Sequence, residues 1–198
     1  MTIYDISQPV FNCAVYPGDP RPGRQILCEI RQGDSCNLSA FTMCSHNGTH
    51  VDAPYHFFEN GMRLCQMPLD TWIGPAFVAR HTGEVSSEDA LRMLAAAADA
   101  DPEAARRILI RGSAVVTESA AEVFARARLK LLGNESQTVG PEDAPAQVHR
   151  ILLGAEVALL EGIRLNNVPE GVYFLYAAPI NLGEADGAPC RAVLTRMP

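Results

Sequence analysis

Residues 45–57 read SHNGTHVDAPYHF. This segment holds His46, His50 and His56, three of the five histidines in the chain, with Asp52 among them. Gly48 and Pro54 interrupt any helical reading, so the stretch is expected to run as a strand into a loop. On an extended backbone His50 and Asp52, two residues apart, point to the same side. Turns at Asn47-Gly48 and Ala53-Pro54 can carry His46 and His56 to that side as well. Imidazoles and a carboxylate crowded into a half-buried loop call for a cation, and nitrogen with oxygen donors suits zinc or manganese. Histidines that only cap turns and bond to backbone are the plainer alternative. That alternative fits one histidine better than three with an aspartate.

Two distant residues extend the pattern. His149 is placed on the polar side of a predicted helix. Glu161 lies in VALLEGIRL (157–165), a run otherwise almost wholly apolar. A half-buried carboxylate there needs a partner; alternatively Glu161 ends a strand and points into water.

Working outward, TIYDIS opens the chain as a strand. QILCEIRQ and NLSAFTMCS, with a glycine between them, read as a hairpin. AFVARH, RRILIRG, LKLLG, VALLEG, VYFLYAAPI and RAVLTR are further strand candidates. A helix is expected from Ser87, where Ser-Glu-Asp supplies a cap and an acidic first turn, to just before Pro102. A second follows Glu118 over SAAEVFARA, and a third starts at Pro145, a favourable first position. Strands and helices mix without strict alternation. The expected fold is a single α/β domain over residues 1–198, with a mixed, partly barrel-like sheet flanked by helices.

Composition bounds the function. Apolar residues make up 47% and charged residues 20%, in ordinary globular proportion. No apolar run is long enough for a membrane span, and the start MTIYDISQPVF lacks a secretory pattern, so a cytoplasmic protein is expected. The net charge of −7 repels phosphate backbones, which argues against nucleic acid. Lys130 is the only lysine and sits in no phosphate-binding loop. The six cysteines are irregularly spaced, with no C-x-x-C pair, as expected of reduced thiols. A cysteine hydrolase pairing Cys44 with His46 is disfavoured, because adjacent strand residues point apart and no third group orients the base. No G-x-S-x-G elbow supports a serine triad.

The stretch His46-Asn-Gly-Thr-His50-Val-Asp52-Ala-Pro-Tyr-His56 resembles the H-x-G-[TA]-H-x-D-x-P-x-H signature of the metal-dependent cyclase family, which includes kynurenine formamidase and isatin hydrolase. DIS at 5–7, VYPGD at 15–19, PLD at 68–70, H-x11-E from His149 to Glu161 and PCRAVL at 189–194 follow in the family's order. The resemblance implies a first metal held by His46, His50, Asp52 and Glu161. It implies a second that shares Asp52 and Glu161 and adds His149, with zinc expected and manganese the alternative. His56 matches the proton-transferring histidine, and Tyr16 stands at a pocket position where formamidases carry tryptophan. Asn134-Glu135-Ser136-Gln137 departs from the formamidase pattern in a segment expected to line the pocket. His81 matches no role. The implied activity is hydrolysis of a small amide, of the arylformamidase type acting on an N-formylkynurenine-like substrate. The alternatives are hydrolysis of another amide, lactam or ester, or a metal-bearing small-molecule binder without catalysis. A homo-oligomer, dimer or tetramer, is also implied.

Overall fold

The computed structural model describes residues 1–196. In chain order the strands and helices are β1 (Thr2–Asp5), β2 (Gly23–Cys28), β3 (Leu38–Thr42), β4 (His50–Asp52), β5 (Ile73–Arg80), β6 (Gly83–Val85), α1 (Ser87–Ala100), β7 (Arg107–Arg111), β8 (Ala114–Val116), α2 (Glu118–Arg126), β9 (Leu131–Asn134), α3 (Ala146–Gly154), β10 (Ala158–Glu161), β11 (Gly171–Tyr176), β12 (Gly187–Pro189) and β13 (Val193–Arg196). Nine strands form one curled mixed sheet in the order β1-β13-β11-β5-β7-β9-β10-β4-β12. Its centre, β5-β7-β9-β10, is parallel, and both flanks are antiparallel.

The parallel centre is buried on both faces, which is why its strands read as near-continuous apolar runs. Along β7, Ile108 and Ile110 turn to one core with Ala90 of α1, Phe124 of α2 and Leu152 of α3. Leu109 turns to the other, with Trp72, Val51 and Leu160. The period of two in RILIR thus feeds two cores from one strand.

The helix signals act as expected, with one shift. The cap of α1 is Ser86, not Ser87: its hydroxyl accepts from the Asp89 amide and its own amide donates to Asp89 Oδ2 at 2.9 Å. Thr117 caps α2, and Pro145 precedes the first turn of α3. The hairpin also forms, but QILCEIRQ does not stay extended. β2 ends at Cys28 and Ile30–Gln32 makes a 3-10 turn. Asp34 and Asn37 side chains accept the Glu29 and Ile30 amides there, so this local bonding replaces the ladder.

Arg107, at the start of β7, braces the chain where it enters β5. It is 2% exposed, and its guanidinium donates to the carbonyls of Thr71, Ile73, Pro75 and Asp70. Among the described residues, no helix is long and apolar enough to cross a membrane.

Candidate metal centre

The site forms where β4 is sandwiched between β10 and β12. Antiparallel register sets Glu161 opposite His50 and Leu159 opposite Asp52 on one side, and Gly187 opposite Asp52 on the other. A polar latch fixes the loop before β4 to the end of β10. Thr49 Oγ1 donates to Gly162 O at 2.8 Å, and Gln8 Nε2 donates to the same oxygen at 2.7 Å. Gly162 must be glycine: its φ is +68°, and a Cβ would lie 2.1 Å from Gly48 O. After Asp52 a 3-10 turn, Pro54–His56, carries His56 back over the strand.

His46, His50, Asp52, His56, His149 and Glu161 all line one cavity of about 260 Å³. His50, Asp52, His149 and Glu161 are each at most 4% exposed. The sequence placed His149 on the polar side of its helix; the structure buries it, because α3 turns that face onto the site rather than to solvent. Glu161 likewise points inward, not into water.

The hydrogen bonds behind the imidazoles define which nitrogen is free. His50 Nδ1 lies 3.0 Å from Gly48 O, and His149 Nδ1 lies 2.9 Å from Pro145 O. A carbonyl only accepts, so each Nδ1 carries the hydrogen and each Nε2 is left to face the carboxylates. His50 Nε2 is 3.4 Å from both Asp52 Oδ1 and Glu161 Oε2. His149 Nε2 is 3.2 Å from Glu161 Oε1 and 3.7 Å from Asp52 Oδ2. The Val139 amide donates to Glu161 Oε1 at 2.7 Å and holds that carboxylate in place. Among the described residues, buried Asp52 Oδ2 has no hydrogen-bond partner.

Three groups of three donors have their atoms within 4.8 Å of one another, and two of them, His46-His50-Asp52 and Asp52-His149-Glu161, share Asp52. Inward-facing imidazole nitrogens, two buried carboxylates and an orphaned oxygen fit a divalent cation, which would neutralise the buried negative charge. Without one, protons take that place. Burial disfavours a charged His46, but Asp52 and Asp186 outweigh it and push its pKa up to about 11. Burial likewise opposes charge on His149, and Glu161 and Asp52 raise it to about 9.

Asp186 is the group that sequence reasoning missed. Its Oδ2 lies 2.8 Å from His46 Nε2 and 3.2 Å from His56 Nδ1. These two contacts hold its own carboxyl well below the usual range. The signal available was its place just ahead of PCRAVL, in EADGAPCRAVL. The remaining walls combine apolar faces with uncommitted polar atoms. Phe57 stacks on His149 with centroids 4.9 Å apart. The Tyr16 ring lines the cavity while its hydroxyl donates to Glu142 O at 2.8 Å. Gln137 comes from the departing segment and Thr138 follows it; among the described residues the buried Gln137 Oε1 and Thr138 Oγ1 have no partner. Glu135 of that segment instead ties the amides of Gly112 and Leu165. His81 bonds Glu84 O at a strand end, outside the site. Cys44 lines the cavity, but its sulfur faces Asp19 Oδ2 at 3.7 Å, and both nitrogens of His46 are engaged by carboxylates. His46 is therefore not free to act as a base for this thiol.

Known proteins resemble this chain over nearly its whole length. A family model described as "Putative cyclase" matches residues 4–141. A kynurenine formamidase of Erythrobacter litoralis is 31% identical over 213 residues, covering 99% of this chain and 94% of that protein. A solved structure described as a potential metal-dependent hydrolase with cyclase activity superposes with a TM-score of 0.81 at 28% identity, covering 100% of this chain and 99% of the other. Isatin hydrolase A of Labrenzia aggregata shares the fold, with a TM-score of 0.78 at 20% identity over 98% of this chain and 93% of its own. A family model matched over most of the chain and a relative aligned almost end to end agree, and this chain belongs to the cyclase family.

Proposed function

We propose that this chain is a metal-dependent hydrolase of a small amide, acting on a C–N bond outside peptides, with an aryl formamide as the preferred substrate class. The observation that carries this reading is the pair of inward-facing imidazole nitrogens, on His50 and His149, set against the carboxylates of Asp52 and Glu161. His46, His50, Asp52 and Glu161 would hold one cation, and Asp52, Glu161 and His149 a second. The sharing of Asp52 between two donor groups supports two ions, and the mixed nitrogen and oxygen donors support zinc, with manganese second. A divalent cation bound there lowers the pKa of water from about 15.7 to near 7 and polarises a carbonyl.

The protein's own groups supply the rest. An amine is a poor leaving group until it is protonated. His56, on the cavity wall with Nδ1 turned to Asp186, keeps Nε2 for that transfer, a contribution of roughly 10²–10⁴-fold. Tyr16 and Phe57 provide aromatic walls for an aryl group.

Reduced cysteines support a cytoplasmic setting on a single domain. A homo-oligomer is supported by the arm formed by β2 and β3, which among the described residues pair only with each other. An isolated two-stranded ribbon is marginal in water. Phe11, Ile26, Leu27, Ile30, Leu38 and Phe41 are 47–58% exposed on and around this one.

The test combines elemental analysis with a panel of aryl formamides, isatin and small lactams. The cyclic amides belong in the panel because Tyr16, in place of tryptophan, alters the aromatic wall. His56→Ala is expected to keep its metal and lose roughly 10²–10⁴-fold in kcat. Loss of the metal with survival of activity would reverse the assigned role.

A further inference from the structure

We propose that Asp186 is a positioning residue that fixes the orientation and tautomer of His56 and, through the same oxygen, braces His46. The role of His56 rests on the reading above; the placement of Asp186 does not. Asp186 reaches the site through strand pairing. β12 lies against β4, and the Ala53 amide donates to Asp186 O at 2.8 Å. Asp186 therefore sits beside the residue that joins Asp52 to the turn carrying His56. Next to it, Gly187 leaves room for the His46 ring: a Cβ there would lie 2.7 Å from His46 Cε1 and 2.6 Å from Val51 O.

The rings of His46 and His56 stack with centroids 3.9 Å apart and planes 27° from parallel. Asp186 Oδ2 is the anchor the two rings share: it lies 2.8 Å from His46 Nε2 and 3.2 Å from His56 Nδ1, and these three residues form a further close group of donor atoms beside the two that share Asp52.

The carboxylate accepts from Nδ1–H of His56 and so fixes the proton on that nitrogen. Nε2 is left as the atom that exchanges protons in the cavity. At His46 the same oxygen accepts from Nε2–H and leaves Nδ1, 2.8 Å from Asp52 Oδ1, to ligate.

The Asp186 side chain is 37% exposed and its backbone bond does not need the carboxylate, so Asp186→Ala is expected to keep the fold. In the zinc-loaded protein, ¹⁵N chemical shifts of His56 should report Nδ1–H in the wild type and a shift towards Nε2–H in Asp186→Ala. With an aryl formamide, kcat should fall about 10- to 100-fold, with KM and metal stoichiometry unchanged. In a His56→Ala background at saturating zinc the second substitution should cost less than about 10-fold, because only the brace on His46 is then left to lose. An unchanged tautomer, or an additional loss of 10-fold or more in that background, overturns the proposal. Absence of turnover by the wild type would refute the functional reading alone, since the nuclear resonance signature is read without substrate.

Discussion

Metal loading should release protons, and the number is set by the geometry of the centre. In the metal-free protein at pH 7, His46 and His149 are both protonated, with pKa values pushed up to about 11 and about 9. Each must surrender one proton to become a ligand. His46 can keep its second N–H on Asp186. These two residues alone therefore contribute about two protons at pH 7, falling to about one near pH 10, once His149 is already neutral. The apparent affinity should rise roughly 100-fold per pH unit near pH 7 and roughly 10-fold per unit near pH 10 from the same two sites. Calorimetric zinc titrations in buffers of different ionisation enthalpy count the protons directly. His149→Gln should release about one proton fewer than the wild type at pH 7. Equal counts for the two proteins, or an affinity independent of pH, would refute the claim that cation and protons compete for one set of atoms.

Three further outcomes follow from the same coordinates. In the metal-free protein the folded pKa values of His46 and His149 lie above the ordinary 6.5, so their stabilisation is complete below about pH 6.5. It is lost as pH rises through about 9 and then about 11; urea midpoints should fall over that window for the metal-free protein and hold for the loaded one. Arg107→Met, which strips the carbonyls of Thr71, Ile73, Pro75 and Asp70 of a buried donor, should cost about 3–5 kcal/mol in chemical denaturation. Phe41→Asp on the arm should shift the protein towards monomer in light scattering without changing bound metal.

The residues that read well from sequence are those whose meaning is local. The alternation in RILIR, the acidic first turn after Ser86 and the proline before α3 each act within a few positions, and each forms much as written. The histidine segment was legible for the same reason, since its spacing alone brings His50 and Asp52 to one side. What escaped depends on pairing between distant segments. Asp186 matters only because β12 lies on β4, and Gly187–Pro189 carries little strand propensity. His149 looked solvent-facing because a helical pattern does not reveal that a carboxylate waits opposite it. The turn at Ile30–Gln32 escaped because Asp34 and Asn37 capture amides that a propensity reading assigns to a ladder.

The latch at Gly162 O has a consequence for how the protein comes to life. Three stretches meet there, one near residue 8, one at Thr49 and one at residue 162, and β4 then waits for Gly187–Pro189 to cover its far edge. Contacts this distant along the chain close late in folding. A nascent polypeptide that has emerged only as far as α3 carries most of the donor atoms yet has no means of holding them at the right separation. Acquisition of the ion thus serves as a check on finished assembly, and a shortened product lacking Gly187–Pro189 should remain inert rather than become a loose, half-formed scavenger of metal.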